Sequence, residues 1–160
     1  MQDVPEHEYK HVSAGSHYAC GVTTAGAIRC WGDAHAGAWI RTPPEGTFEQ
    51  VATAQAHACA LTTGGEIECW GDRHYYSPIP AGTFASIAAG WYFVCGITPH
   101  GQVDCWGSDN YGESSQEVST ASVLATGVYH VCAIADSEAE ACSEAIDCWG
   151  KNDGGQTDPP

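Results

Sequence analysis

Leucine is nearly missing from this 160-residue chain, which contains only Leu61 and Leu124. A helical bundle needs stripes of long apolar side chains, so this scarcity argues against one and favours short strands joined by turns. Cations are scarce too: Lys10, Arg29, Arg41, Arg73 and Lys151 stand against 20 carboxylates, for a formal charge of −15. A nucleic-acid partner is thereby excluded, because binding a phosphate backbone needs a basic face. No stretch approaches the roughly 20 apolar residues of a membrane span. Residues 1–8 lack both a basic region and an apolar core, so any signal peptide is expected to have been removed or to lie outside this sequence. Catalytic signatures are also missing: there is no Gly-x-Ser-x-Gly elbow, His-Glu-x-x-His pair, phosphate-cradling loop or dinucleotide fingerprint. The expectation is a protein that is not an enzyme, with no cofactor and no metal.

What the chain has instead is glycine, 19 residues, and nine cysteines. Four times it reads Cys-Trp-Gly, at Cys30, Cys69, Cys105 and Cys148, each with a cysteine upstream at Cys20, Cys59, Cys95 and Cys132. Between Cys59 and Cys69 the residues alternate apolar and polar around Gly64, the pattern of a β-hairpin. In that register Cys59 faces Cys69 and Leu61 faces Ile67, all on one side, while Ala60, Glu66, Glu68 and Trp70 project from the other. Opposed residues of a non-hydrogen-bonded antiparallel pair lie about 4.5 Å apart at Cα, within disulfide reach. The spacing therefore predicts one cross-strand disulfide per repeat, each worth roughly 2 to 3 kcal/mol in the chain-entropy model. Zinc is the rival reading, given His17, His57 and His130 nearby, but zinc knuckles draw on close Cys-x2-Cys pairs. Paired cysteines at this density point to an oxidising location: periplasm, cell surface or outside the cell.

The repeat extends beyond the cysteines. Val12, Val51, Ile87 and Leu124 stand eight residues before each upstream cysteine, and Tyr18, His57, Phe93 and His130 stand two before it. The units are placed at about residues 9–47, 48–83, 84–120 and 121–160 of one domain, after a segment 1–8 that matches the linkers between units. The fourth unit lengthens its hairpin loop with the acidic insert 136–144, which carries the ninth cysteine, Cys142. The insert reads either as a solvated hairpin tip or as a Ca²⁺ or partner-binding loop, although it has no EF-hand spacing. Cys142 reads as a free or intermolecular thiol.

An aliphatic residue, Gly, a ring, Cys-Ala-Leu-Thr and then Cys-Trp-Gly-Asp together resemble the regulator-of-chromosome-condensation (RCC1-like) repeat in its bacterial, cysteine-bearing form. The resemblance implies an all-β, propeller-type array of four short antiparallel blades, closed into a ring or open and oligomeric, with binding done by loops on the propeller faces. Within the family, the eukaryotic founder exchanges guanine nucleotide and docks on chromatin, a role that nothing in this acidic chain supports. A secreted bacterial relative inhibits β-lactamase through a face rich in aromatics. The recurring Trp31, Trp70, Trp106 and Trp149 are expected to fill the space between units. Trp39, Tyr75, Tyr76, Trp91, Tyr92 and Tyr111 break the pattern and are the candidate binding residues, with local loop packing as the plainer explanation. The expected partner is a second copy, engaged through blade edges, or else an extracellular protein or glycan gripped by these loop aromatics.

Overall fold

The computed structural model describes residues 6–32, 42–115, 120–135 and 145–159. Among these, blade 1 comprises β1 (Tyr9–Ala14), β2 (Tyr18–Thr23) and β3 (Ile28–Gly32), and blade 2 comprises β4 (Phe48–Thr53), β5 (His57–Thr62) and β6 (Ile67–Gly71). Blade 3 comprises β7 (Ser86–Ala89), β8 (Phe93–Ile97) and β9 (Val103–Gly107); blade 4 comprises β10 (Ala121–Thr126), β11 (His130–Ala135) and β12 (Ala145–Gly150). Each blade is a three-stranded antiparallel sheet with its strands in sequence order. The class is all-β, as the turn-rich composition implies.

Every blade is built on the same hairpin. In the first three, the turn between second and third strands places Gly26, Gly65 and Gly101 at φ of 89°, 86° and 83°. A side chain at such a φ meets the following carbonyl, so glycine holds these positions. The turn aligns Cys20 with Cys30, Cys59 with Cys69 and Cys95 with Cys105, and in blade 4 Cys132 pairs with Cys148. All four pairs are disulfides with Cα atoms 4.0 to 4.1 Å apart. The predicted register holds down to Leu61 opposite Ile67. With their sulfurs bonded to each other, these eight cysteines offer no thiolate to zinc.

Turn glycines also link one blade to the next. The amides of Phe48, Phe84 and Ala121 donate to the carbonyls of Gly26, Gly65 and Gly101 at 2.8 to 2.9 Å. These bonds fix where each new blade starts relative to the hairpin before it. Side chains continue the connection along the first strands: Thr53 N–H donates to Ser13 Oγ (3.0 Å), Ile87 N–H to Gln50 Oε1 (2.8 Å), and Thr126 Oγ1 to the Ala89 carbonyl (2.9 Å).

The core lies between blades. Alternation along a strand gives each sheet two faces, one bearing the disulfide and the other the tryptophan. Tyr18, Cys20, Val22 and Ile28 of blade 1 meet Val51, Ala58, Ala60 and Trp70 of blade 2. Cys59 and Leu61 then meet Ile87, Val94 and Trp106, and Cys95, Ile97 and Val103 meet Val131, Ala133 and Trp149. The sulfur face of each blade thus lies on the tryptophan face of the next, three times over. Small residues such as Ala58 and Ala60 lie across from the sulfurs and admit them.

Candidate functional site

Two regions could act on something outside the chain. The first consists of the two faces at the ends of the stack. Neighbouring blades pack together throughout, but among the described residues no comparable contact joins blade 4 to blade 1. Among the described residues, no blade covers the tryptophan face of blade 1 or the sulfur face of blade 4. Val12 is 61% exposed, whereas its counterpart Val51 is 1% exposed. Ile146 is 47% exposed where its counterpart Ile28 is 2% exposed, and Val123, on the far side of Ile134 in the same sheet face, is also open to solvent. Apolar side chains grouped on an open face mark an interaction surface.

The second region is a belt of rings on the loops of blades 2 to 4. Tyr75 ends a short 3-10 turn, Arg73–Tyr75, whose start is capped by Asp72 Oδ1 accepting from the His74 amide. Its ring stacks on Tyr92 with centroids 4.4 Å apart. Tyr92 lies 5.8 Å from Trp91 and 6.1 Å from Tyr129, and Tyr129 lies 5.1 Å from Tyr111. Trp91 Nε1 donates to Ser16 Oγ at 3.1 Å, joining the turns of blades 3 and 1. Lys151 Nζ sits 5.0 Å from the Tyr111 centroid and 5.7 Å from that of Tyr129, within cation–π range. A hydrogen bond from Lys151 to Asp153 raises the lysine pKa further, which keeps the cation charged. Desolvation raises the Tyr129 pKa, with the neighbouring Tyr92 and Tyr111 acting in the same direction.

The structure brings Tyr75, Trp91, Tyr92 and Tyr111 of the expected binding residues into this belt. Tyr76 is elsewhere: it is buried in the core between blades 2 and 3, beside Trp106. Trp39, Cys142 and the insert 136–144 lie outside the described residues. Sequence reasoning missed Tyr129 and Lys151. Tyr129 stands three residues before Cys132 just as Tyr92 stands three before Cys95, so repeat phase could have found it.

His57 lies beneath the belt with Tyr75 and Tyr76 nearby, fully buried, and neither ring nitrogen has a hydrogen-bond partner. Burial pushes its pKa down to about 4, against a smaller opposing pull from Asp72, so the ring is neutral near pH 7. It packs as an aromatic. Among the described residues, no group of three or more His, Cys, Asp or Glu side chains could hold a metal ion, and no helix is long and apolar enough to cross a membrane.

Stacked three-stranded blades of this kind define a β-propeller-type repeat array. More narrowly, residues 84–113, which include blade 3, match the family model for the regulator of chromosome condensation (RCC1) repeat. No curated protein sequence matches the chain. Among solved structures it is similar to the ectodomain of the receptor kinase CR4 from Physcomitrella patens, at 27% identity over 92% of this chain and 41% of that one, TM-score 0.74. It is also similar to the CRINKLY WD40 ectodomain of the Arabidopsis thaliana receptor kinase ACR4, at 25% identity over 87% of this chain and 48% of that one, TM-score 0.68. Prp20p of Saccharomyces cerevisiae, whose binding to Gsp1p and histones is described, shares the fold at 16% identity over 91% of this chain and 45% of that one, TM-score 0.72. The chain spans less than half the length of each of these structures.

Proposed function

We propose that this protein is a non-catalytic interaction scaffold of the exported, cysteine-bearing bacterial type of RCC1-like repeat, and that it associates with further copies of itself through its end blades. The observation that carries this reading is the contrast between stack and ends: the positions filled by buried Val51 and Ile87 within the stack are open at Val12, those filled by buried Ile28 and Val103 are open at Ile146, and Val123 is exposed on the same face as Ile146. Four disulfides suit an oxidising compartment, and the export reading rests on them. The high negative charge keeps such a protein soluble outside the cell. The test is light scattering over a concentration series. Mass should climb above that of one chain as concentration rises, and a homogeneous monomer at the highest concentration would remove self-association from the reading.

A second reading is favoured by the aromatic belt. Tyr75, Trp91, Tyr92, Tyr111 and Tyr129 form one continuous surface with a cation at its edge. Such a surface suits an extracellular protein or a glycan, since rings bury area at low entropic cost. Binding on a glycan and protein array should fall at least tenfold with Trp91→Ala while mass by light scattering stays unchanged. A variant that binds like the parent leaves the belt as loop packing only.

A further inference from the structure

Resting on the self-association reading, we infer that copies join head to tail, the tryptophan face of blade 1 in one copy receiving the sulfur face of blade 4 in the copy before it. All three internal interfaces pair unlike faces, sulfur on tryptophan, and no two like faces meet. The open ends are one of each kind, so the rule that builds the chain also specifies its continuation. The partner's first blade would occupy the place of a fifth.

The receiving face is already shaped for this. In blade 3, the Phe84 ring lies over Gly96, where a Cβ would come within 2.5 Å of it, and sits 5.8 Å from Trp106. In blade 1, Tyr9 lies over Gly21 with the same 2.5 Å limit and sits 5.7 Å from Trp31. Blade 1 therefore holds the internal geometry although, among the described residues, no blade lies in front of it. Ala19 and Gly21 keep the small surface that elsewhere admits a disulfide, as Ala58 and Ala60 do. Opposite, Cys132–Cys148, Ile134 and Ile146 repeat the set that Cys20–Cys30, Val22 and Ile28 present to blade 2.

Charge is compatible with this direction. The position held by Glu68, Asp104 and Asp147 in blades 2 to 4 is Arg29 in blade 1. A cation replaces a carboxylate on the receiving face, which lowers repulsion between two copies of net charge −15. The contact is heterologous, so it closes a ring if its rotation permits and otherwise extends a filament.

The experiment uses the full oxidised chain and two blocked variants, Val12→Glu on blade 1 and Ile146→Glu on blade 4. Both sites are exposed, and near-ultraviolet circular dichroism confirms the fold; Val123→Glu replaces Ile146→Glu if that variant does not fold. By analytical ultracentrifugation, the parent should associate and each variant alone should associate at least tenfold more weakly. An equimolar mixture should regain a one-to-one dimer, because each variant supplies the face the other lacks. If the parent associates but the mixture stays monomeric, or if one variant dimerises alone, the head-to-tail arrangement is overturned while self-association stands. If the parent itself stays monomeric, both fall and the end faces belong to another chain.

Discussion

Blades 2 and 4 share one hairpin, one register and one disulfide, yet they meet different surroundings. Blade 2 is covered on both faces: Phe48, Val51, Ala58 and Trp70 are buried against blade 1, and Cys59 and Leu61 against blade 3. Among the described residues, blade 4 packs against another blade on its tryptophan face only, and Cys132, Ile134 and Cys148 on the other are half-buried. Where blade 2 begins with Phe48, blade 4 begins with Ala121. Burial in this protein is thus a property of a residue's place in the stack rather than of its place in the repeat. An end blade must rely more on its covalent bridge, since it has only one interface to hold it.

Three comparisons break or sharpen that contrast. The largest effect is expected at Phe48, which is fully buried between blades 1 and 2. Truncation to alanine leaves a cavity the size of a ring and should cost about 3 to 5 kcal/mol in guanidinium unfolding with disulfides intact. The next is a pH effect at His57. Its folded pKa of about 4 lies below the unfolded value of 6.5, so the stability from keeping it neutral is complete above pH 6.5 and is lost as pH falls toward 4. The loss attributable to this ring is about 3 kcal/mol. His57→Phe should remove that part of the acid sensitivity, so the carboxylate contribution common to both proteins cancels and the difference between the two unfolding profiles is that of His57. The smallest effect is a matched pair, Ile28→Val and Ile146→Val, compared at a concentration where the protein is monomeric. The buried site should lose about 0.5 to 1.5 kcal/mol and the open one close to nothing. Equal losses would mean that blade 4 is covered within its own chain.

Much of this was legible in the residues. Alternation around Gly64 was enough to pair Cys59 with Cys69 and Leu61 with Ile67, because strand period and turn position leave one register that buries a single face. The recurring tryptophans were legible as spacers, and Trp70, Trp106 and Trp149 are buried between blades. Other features were not visible from the chain. Tyr75 and Tyr76 are neighbours that both break the repeat, yet one joins the belt and the other enters the core. Their separation depends on how the turn after Asp72 folds back, which no periodicity encodes. The open ends were equally hidden. Ile146 and Ile28 hold the same position in the repeat, and only the presence or absence of a following blade distinguishes them.

The four bridges also determine how the chain can be oxidised. Eight cysteines can be joined on the order of a hundred ways, and a chain that must search them needs repeated breaking and remaking of bonds. Here the partners lie 10, 10, 10 and 16 residues apart, each pair inside one hairpin. In the first three units each upstream cysteine's correct partner is also its nearest along the chain, so bond formation can follow hairpin formation, one unit at a time. The exception is the fourth unit, where Cys142 is closer in sequence than Cys132 to Cys148. Any scrambling should therefore concentrate in that last unit, while the earlier three oxidise without competition.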